Sequence, residues 1–144
     1  MTRTFRPYGG AADPGRTLRR TRLAAAVAAA STVATALGLR AVAVGDVAKY
    51  GGDALYTVML LTLVVLAAPR VTPPTAAALA LAASWAVEFL QLSPVPAELS
   101  ERSSFARLLL GSTFNPPDLI WYVVGAAAGC LVHTWLRSTP PPPT

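Results

Sequence analysis

Four apolar runs, separated by proline, glycine and charge, set the outline of this chain. They extend over Leu23 to Leu39, Asp53 to about Ala68, Thr75 to Leu92 and Asp118 to about Leu136. None alternates as a half-buried strand does, and each is apolar on most sides of a helix. About 20 apolar residues cross a bilayer, so each run with its flanks predicts a transmembrane helix. Pro69 and Pro73-Pro74 end the second run and leave room only for a tight turn, which predicts an antiparallel hairpin with the third. Pro94 and Pro96 end the third. The stretch Arg40 to Gly52 reads as a polar connection, with Gly51-Gly52 turning into a second helix that Asp53 opens. Between Ser93 and Pro117, Leu99, Phe105, Leu108, Leu109 and Leu110 interleave with Glu101, Arg102 and Arg107. That pattern predicts one amphipathic helix over Ser100 to Leu110 at the membrane surface, stopped by Gly111. The expected fold class is all-α: a polytopic four-transmembrane-helix bundle with a short interfacial helix between the third and fourth spans.

Composition strengthens this picture. Only 13% of the 144 residues are charged, against about 25% in a typical soluble domain. Residues 1–20 are basic and rich in Gly and Pro, which predicts a disordered cytoplasmic tail ahead of a membrane domain over 21–137. Residues 138–144 form a Pro-rich tail. Four spans place both termini on one side. With that side cytoplasmic, Arg3, Arg6, Arg16, Arg19, Arg20, Arg22, Arg70 and Arg137 lie inside, and Arg40, Lys49, Arg102 and Arg107 lie outside. This asymmetry fits the positive-inside rule and predicts a multi-pass inner-membrane protein with cytoplasmic termini. A cleaved signal peptide is the alternative for the first run, since Ala41-Val42-Ala43 resembles a cleavage site. The basic tail alone is compatible with nucleic-acid binding, but the apolar runs that follow it favour a topology signal, and no nucleic-acid partner is expected.

Polar side chains inside the apolar runs narrow the search for a site. Glu88 and Gln91 lie about 60° apart on one helix face near the end of the third run. In the predicted topology Arg40, Asp53, Glu88, Gln91, Arg102, Asp118 and Tyr122 all converge near the outer leaflet. Burying Glu88 as an unpaired charge would cost several kcal/mol, so it is expected to pair with Arg40 or Arg102 or to stay protonated. Asp118, Tyr122, Gly125 and Gly129 fall within about 60° of one another on a helix, and Gly125 to Gly129 is a small-xxx-small spacing that allows close helix packing. Asp53 and Asp118 also fit the simpler role of helix caps, and Trp121 and Trp135 that of interfacial belt residues. His133 reads as an interfacial side chain, and Cys130 as a small packing residue. Ser103 and Ser104 have no neighbouring base. No metal-ligand spacing and no phosphate-binding glycine loop is present, so neither metal nor cofactor is expected.

One ordered set of motifs carries a resemblance. Gly52-Asp53-Ala54-Leu55-Tyr56, Glu88-Phe89-Leu90-Gln91-Leu92, Arg102, Leu110-Gly111-Ser112 with Phe114, and Asp118, Tyr122 and Gly125 follow one another. The set resembles the bacterial family of small membrane proteins catalogued as domain of unknown function 2809, distantly similar to VanZ-like proteins. The resemblance covers about Leu23 to Leu136. It implies four membrane helices, a retained first span, and Asp53, Glu88, Gln91, Arg102 and Asp118 as a polar signature. Three functions remain open on the residues: a module that binds an anionic lipid or lipid-linked envelope headgroup through Arg40, Arg102 and Arg107; a membrane enzyme acting on such a lipid, with Glu88 or Asp118 as general acid or base; and a structural or assembly protein without a ligand. Beyond the lipid bilayer no partner is specified, and oligomeric state is open.

Overall fold

A computed structural model describes residues 14–110 and 113–139. These fold into six helices: α1 (Pro14–Val42), α2 (Gly45–Ala67), α3 (Pro73–Leu90), α4 (Val95–Arg102), α5 (Ser104–Leu110) and α6 (Asp118–Ser138). No strand occurs among the described residues. The expected disorder of the first residues, the Gly111 stop and the Pro140–Pro143 tail fall outside the described residues.

Helices α1, α2, α3 and α6 are each long and apolar enough to cross a membrane. At 1.5 Å per residue they measure about 43, 34, 27 and 31 Å, against a hydrocarbon core of about 30 Å. The chain is an all-α polytopic membrane protein. Large apolar side chains such as Val27, Ile120, Leu131 and Trp135 remain exposed on the protein surface. In lipid that exposure carries no hydrophobic penalty.

Three boundaries differ from the sequence expectation. First, α1 begins at Pro14, so residues 14–20 are helix and not tail. Proline suits the first turn of a helix, where its missing N–H is not needed. The exposed arginines that follow carry the helix past its apolar part.

Second, the expected connection from Arg40 to Gly52 shrinks to Ala43 and Val44. Gly45, at φ +65°, makes the reversal that a side chain would resist. Gly51 and Gly52 do not turn. They lie inside α2, and a Cβ on Gly51 would sit 2.5 Å from Leu39 Cδ2, so the absent side chain lets α1 pack close. Asp53 therefore stands well within α2 and caps nothing.

Third, the single helix expected over 100–110 is two. Ser103 is extended, at φ −150° and ψ 119°, and its hydroxyl accepts a hydrogen bond from Ala106 N–H at 3.3 Å. That is the N-cap chemistry of a new helix. Pro96, read as a stop for α3, sits instead in the first turn of α4.

Packing is uneven. Helix α2 contacts α1, α3 and α6, and α3 contacts α6, whereas α1 packs chiefly on α2. Only Ala25 of α1 is buried. The apolar core lies among α2 and α3, where Leu61, Val65, Ala76 and Ala80 cluster with Ala25. Gly125 and Gly129 of α6 are both buried. A Cβ on Gly125 would meet Ala54 C at 2.9 Å and Ala54 Cα at 3.0 Å, and its carbonyl oxygen closer still. The small-residue spacing thus brings α6 onto the α2 backbone. At the far end, Arg137 Nη1 donates to Val71 O at 2.9 Å and ties α6 to the α2–α3 turn.

Candidate functional site

Above the apolar core the interior turns polar. Thr57 and Ser84, both fully buried, share a hydrogen bond of 2.9 Å between α2 and α3. Ser84 Oγ also lies 3.0 Å from Ala80 O. One turn further along α3 is Glu88, 1% exposed and the largest of the fully enclosed side chains. Its Oε2 accepts from Tyr122 O–H at 3.0 Å, and its Oε1 from Asn115 N–H at 2.6 Å. Each carboxylate oxygen thus has a donor in a region where none would come from water. Neither Arg40 nor Arg102 pairs with Glu88. Arg40 ends α1 and Arg102 ends α4, both exposed, and the short helices carry Arg102 away from α3.

The remaining acids gather around a residue that the sequence had left in a connection. Lys49, in the second turn of α2, forms an ion pair with Asp118 and lies 3.8 Å from Asp53 Oδ2. Asn115 completes the group: its side-chain amide donates to Asp118 while its backbone N–H serves Glu88. Asn115 is the hinge between the two acids, and the Pro116-Pro117 turn holds it ahead of α6. Asp118 is 6% exposed, as is Tyr122. The expected stripe of Asp118, Tyr122, Gly125 and Gly129 is the buried face of α6. Lys49 and Asn115 were missed as site residues. The signal for Lys49 was its spacing of four residues from Asp53, which pairs side chains on a helix.

Aromatic contacts close the layer. Tyr50 stacks on Trp121 with centroids 5.4 Å apart, Tyr56 lies 6.3 Å from Tyr122, and Phe89 stacks on Phe114 at 6.2 Å. Trp85 Nε1 donates to Leu119 O at 3.3 Å. Trp121 is therefore a packing residue between α2 and α6 as well as a half-exposed surface one. Gln91, at the C-cap of α3, donates from Nε2 to Leu110 O at 2.5 Å and ties the end of α3 to the end of α5.

A cavity of about 810 Å³ opens beside this layer. Its apolar wall includes Val33, Leu37, Met59 and Leu63 of α1 and α2. Its polar end includes Arg40, Lys49, Asp53, Gln91, Arg107 and Asp118. Glu88 and Tyr122 form part of the lining. Of the expected constellation the structure brings Arg40, Asp53, Glu88, Gln91, Asp118 and Tyr122 to one cavity. Arg102 is not among them, and Arg107 of α5 is. Among the described residues no group of three or more His, Cys, Asp or Glu side chains is arranged to hold a metal ion.

These features define a class: a small multi-pass membrane protein whose helices close around a buried carboxylate layer. The chain belongs to the family described as Protein of unknown function (DUF2809), whose model matches residues 42–126. The match takes in Lys49, Asp53, Glu88, Gln91, Asn115, Asp118 and Tyr122, and leaves out nearly all of α1. It is narrower than the resemblance drawn from the motifs and ends within α6. No curated protein and no solved structure matches the chain.

Proposed function

We propose that this protein binds an amphiphile with a phosphate-bearing headgroup, a membrane phospholipid or a lipid-linked envelope precursor, in the cavity beside the polar layer. The observation that carries the reading is the cavity's two-sided chemistry. An apolar wall on α1 and α2 suits a hydrocarbon tail, and the other end presents Arg40 and Arg107. No ion pair involves either arginine among the described residues. A guanidinium without a carboxylate partner is free to hold a phosphate through paired N–H donors. Arg107 takes the place that the sequence reading gave to Arg102. Glu88 then serves as the staple that holds α3, α6 and the Asn115 turn in register, since its oxygens are already occupied and enclosed. That enclosure favours binding over proton transfer at Glu88.

In this reading the protein sits in the cell membrane with both termini cytoplasmic and the cavity toward the outer leaflet. Alkaline phosphatase fused after Thr139 is expected to be inactive, and an active fusion overturns the orientation. Binding is tested by native mass spectrometry of the protein released from detergent. Wild type should carry phospholipid, and Arg40→Ala/Arg107→Ala should lose it while remaining folded. Equal retention by both proteins refutes the reading.

A further inference from the structure

Two acceptors in the cavity wall have no donor. Asp53 Oδ2 and Gln91 Oε1 are closed off from solvent and accept no hydrogen bond, yet both residues line the cavity. Lys49 is drawn to Asp118 and stands 3.8 Å from Asp53 Oδ2, outside hydrogen-bond distance. The amide of Gln91 is oriented by its other end: Leu110 O needs the NH₂ group, which leaves Oε1 facing the unsatisfied side. The third such atom, His133 Nδ1, belongs to the opposite half of α6 and has no place in the cavity lining.

A buried acceptor without a donor is costly, and two in one wall call for a ligand that donates. The charge of the wall says what kind of donor. The lining sets Asp53, Glu88 and Asp118 against Arg40, Lys49 and Arg107, so once both arginines hold a phosphate Lys49 alone is left to the three acids. A hydroxyl would satisfy the acceptors but not the charge, whereas an ammonium satisfies both. The geometry points to a zwitterionic headgroup, with a phosphate held by Arg40 and Arg107 and a primary ammonium held by Asp53 and Gln91. This rests on the lipid-binding reading and narrows it from phosphate lipids in general to aminophospholipids. The side chain of Asp53 is 22% exposed although Oδ2 itself is enclosed, so the ammonium engages Oδ2 by a turn of the carboxylate toward the cavity.

The test needs no variant for its main arm. The full chain is delipidated and its affinity measured for phosphatidylethanolamine, its N-methyl and N,N-dimethyl forms, phosphatidylcholine and phosphatidylglycerol, all with the same acyl chains. Affinity is expected to fall along the methylation series as N–H donors are removed. Phosphatidylethanolamine should bind about tenfold more tightly than phosphatidylcholine, the equivalent of about 1.4 kcal/mol and one hydrogen bond. Phosphatidylglycerol should bind less tightly than phosphatidylethanolamine. Asp53→Asn should flatten the series while phosphatidylglycerol binding does not fall. Equal affinity along the series overturns the inference, as does phosphatidylglycerol matching phosphatidylethanolamine. If affinity is flat but still lost in Arg40→Ala/Arg107→Ala, only the ammonium site is removed. If no lipid binds wild type, the lipid-binding reading falls and takes this one with it.

Discussion

Replacing Gly125 by alanine tests whether the approach of α6 to α2 holds the polar layer together. The added methyl would stand 2.9 and 3.0 Å from Ala54 C and Cα, about 0.5–1 Å inside the optimum of roughly 3.5–4.0 Å for carbon pairs. The obstructing atoms are backbone, so no rotamer change relieves the contact and the helices must part. Overpacking of this kind costs about 1–3 kcal/mol, offset by about 0.5–1 kcal/mol from removing glycine from a helix interior. A net loss of about 0.5–2 kcal/mol is expected. Two controls grade the effect. In Gly129→Ala the methyl meets Leu61 Cδ1 at 2.8 Å, the end of a side chain that can turn aside. Because Leu61 is itself packed in the core, Gly129→Ala should cost about 1 kcal/mol or less, below the loss in Gly125→Ala. In Gly52→Ala the methyl meets nothing within 4 Å, and α2 should gain about 0.5–1 kcal/mol from the better helix former. Reversible unfolding in mixed micelles, followed by tryptophan fluorescence, gives the order directly. If Gly125→Ala unfolds at the same denaturing-detergent fraction as Gly129→Ala, the close approach does not control stability and the reasoning is wrong.

Other perturbations read the polar layer piece by piece. Glu88→Gln keeps an acceptor for Asn115 N–H and gives the Tyr122 hydroxyl a donor to accept from, so it should cost less than about 1 kcal/mol, whereas Glu88→Ala strands both partners in a cavity and should cost about 3 kcal/mol or more. Equal losses in the two, measured by the same unfolding, would show that the hydrogen bonds are incidental. Lys49→Met removes the cation between Asp53 and Asp118. Because Lys49 is 43% exposed, the loss should be about 1–2 kcal/mol, below the range for fully buried pairs. A double-mutant cycle with Asp118→Asn should show coupling of at least about 0.5 kcal/mol, and additive losses would place the pair outside the layer's energetics. Thr57→Val leaves Ser84 close to Ala80 O and should cost no more than about 1.5 kcal/mol in thermal unfolding.

The apolar runs made the four spans legible, because a membrane helix must be apolar over most of its surface whatever it packs against. The small-residue stripe of α6 was legible for a related reason: its spacing matches a helix face. What the sequence hid was the path between elements. Gly51-Gly52 looked like a turn, yet both glycines continue α2, and the missing side chain of Gly51 leaves room for Leu39 of α1. The actual reversal at Gly45 carries a weaker local signal. That shift of eight residues turned Asp53 from a cap into an interior side chain and brought Lys49 onto the same helix. Asn115 was hidden differently. Its role depends on a backbone N–H reaching a carboxylate 27 residues away, which no local pattern announces. Glu88 is buried, as its place in an apolar run indicates, but charge balance suggested arginine partners where the fold supplies neutral donors.

The ion pair between Lys49 and Asp118 spans 69 residues of sequence, and synthesis runs at about 5–20 residues per second. The two-residue link at Ala43-Val44 delivers α1 and α2 to the membrane as one hairpin. Lys49 therefore waits about 3–14 seconds for Asp118 to be made. During that interval Asp53, four residues along the same helix, is the counter-ion already at hand. In the finished fold Lys49 pairs with Asp118 and stands 3.8 Å from Asp53. An Asp53→Asn chain would reach the same final pairing but would enter the bilayer with a lone charge, so its defect should fall on membrane insertion during synthesis more than on the stability of the assembled protein.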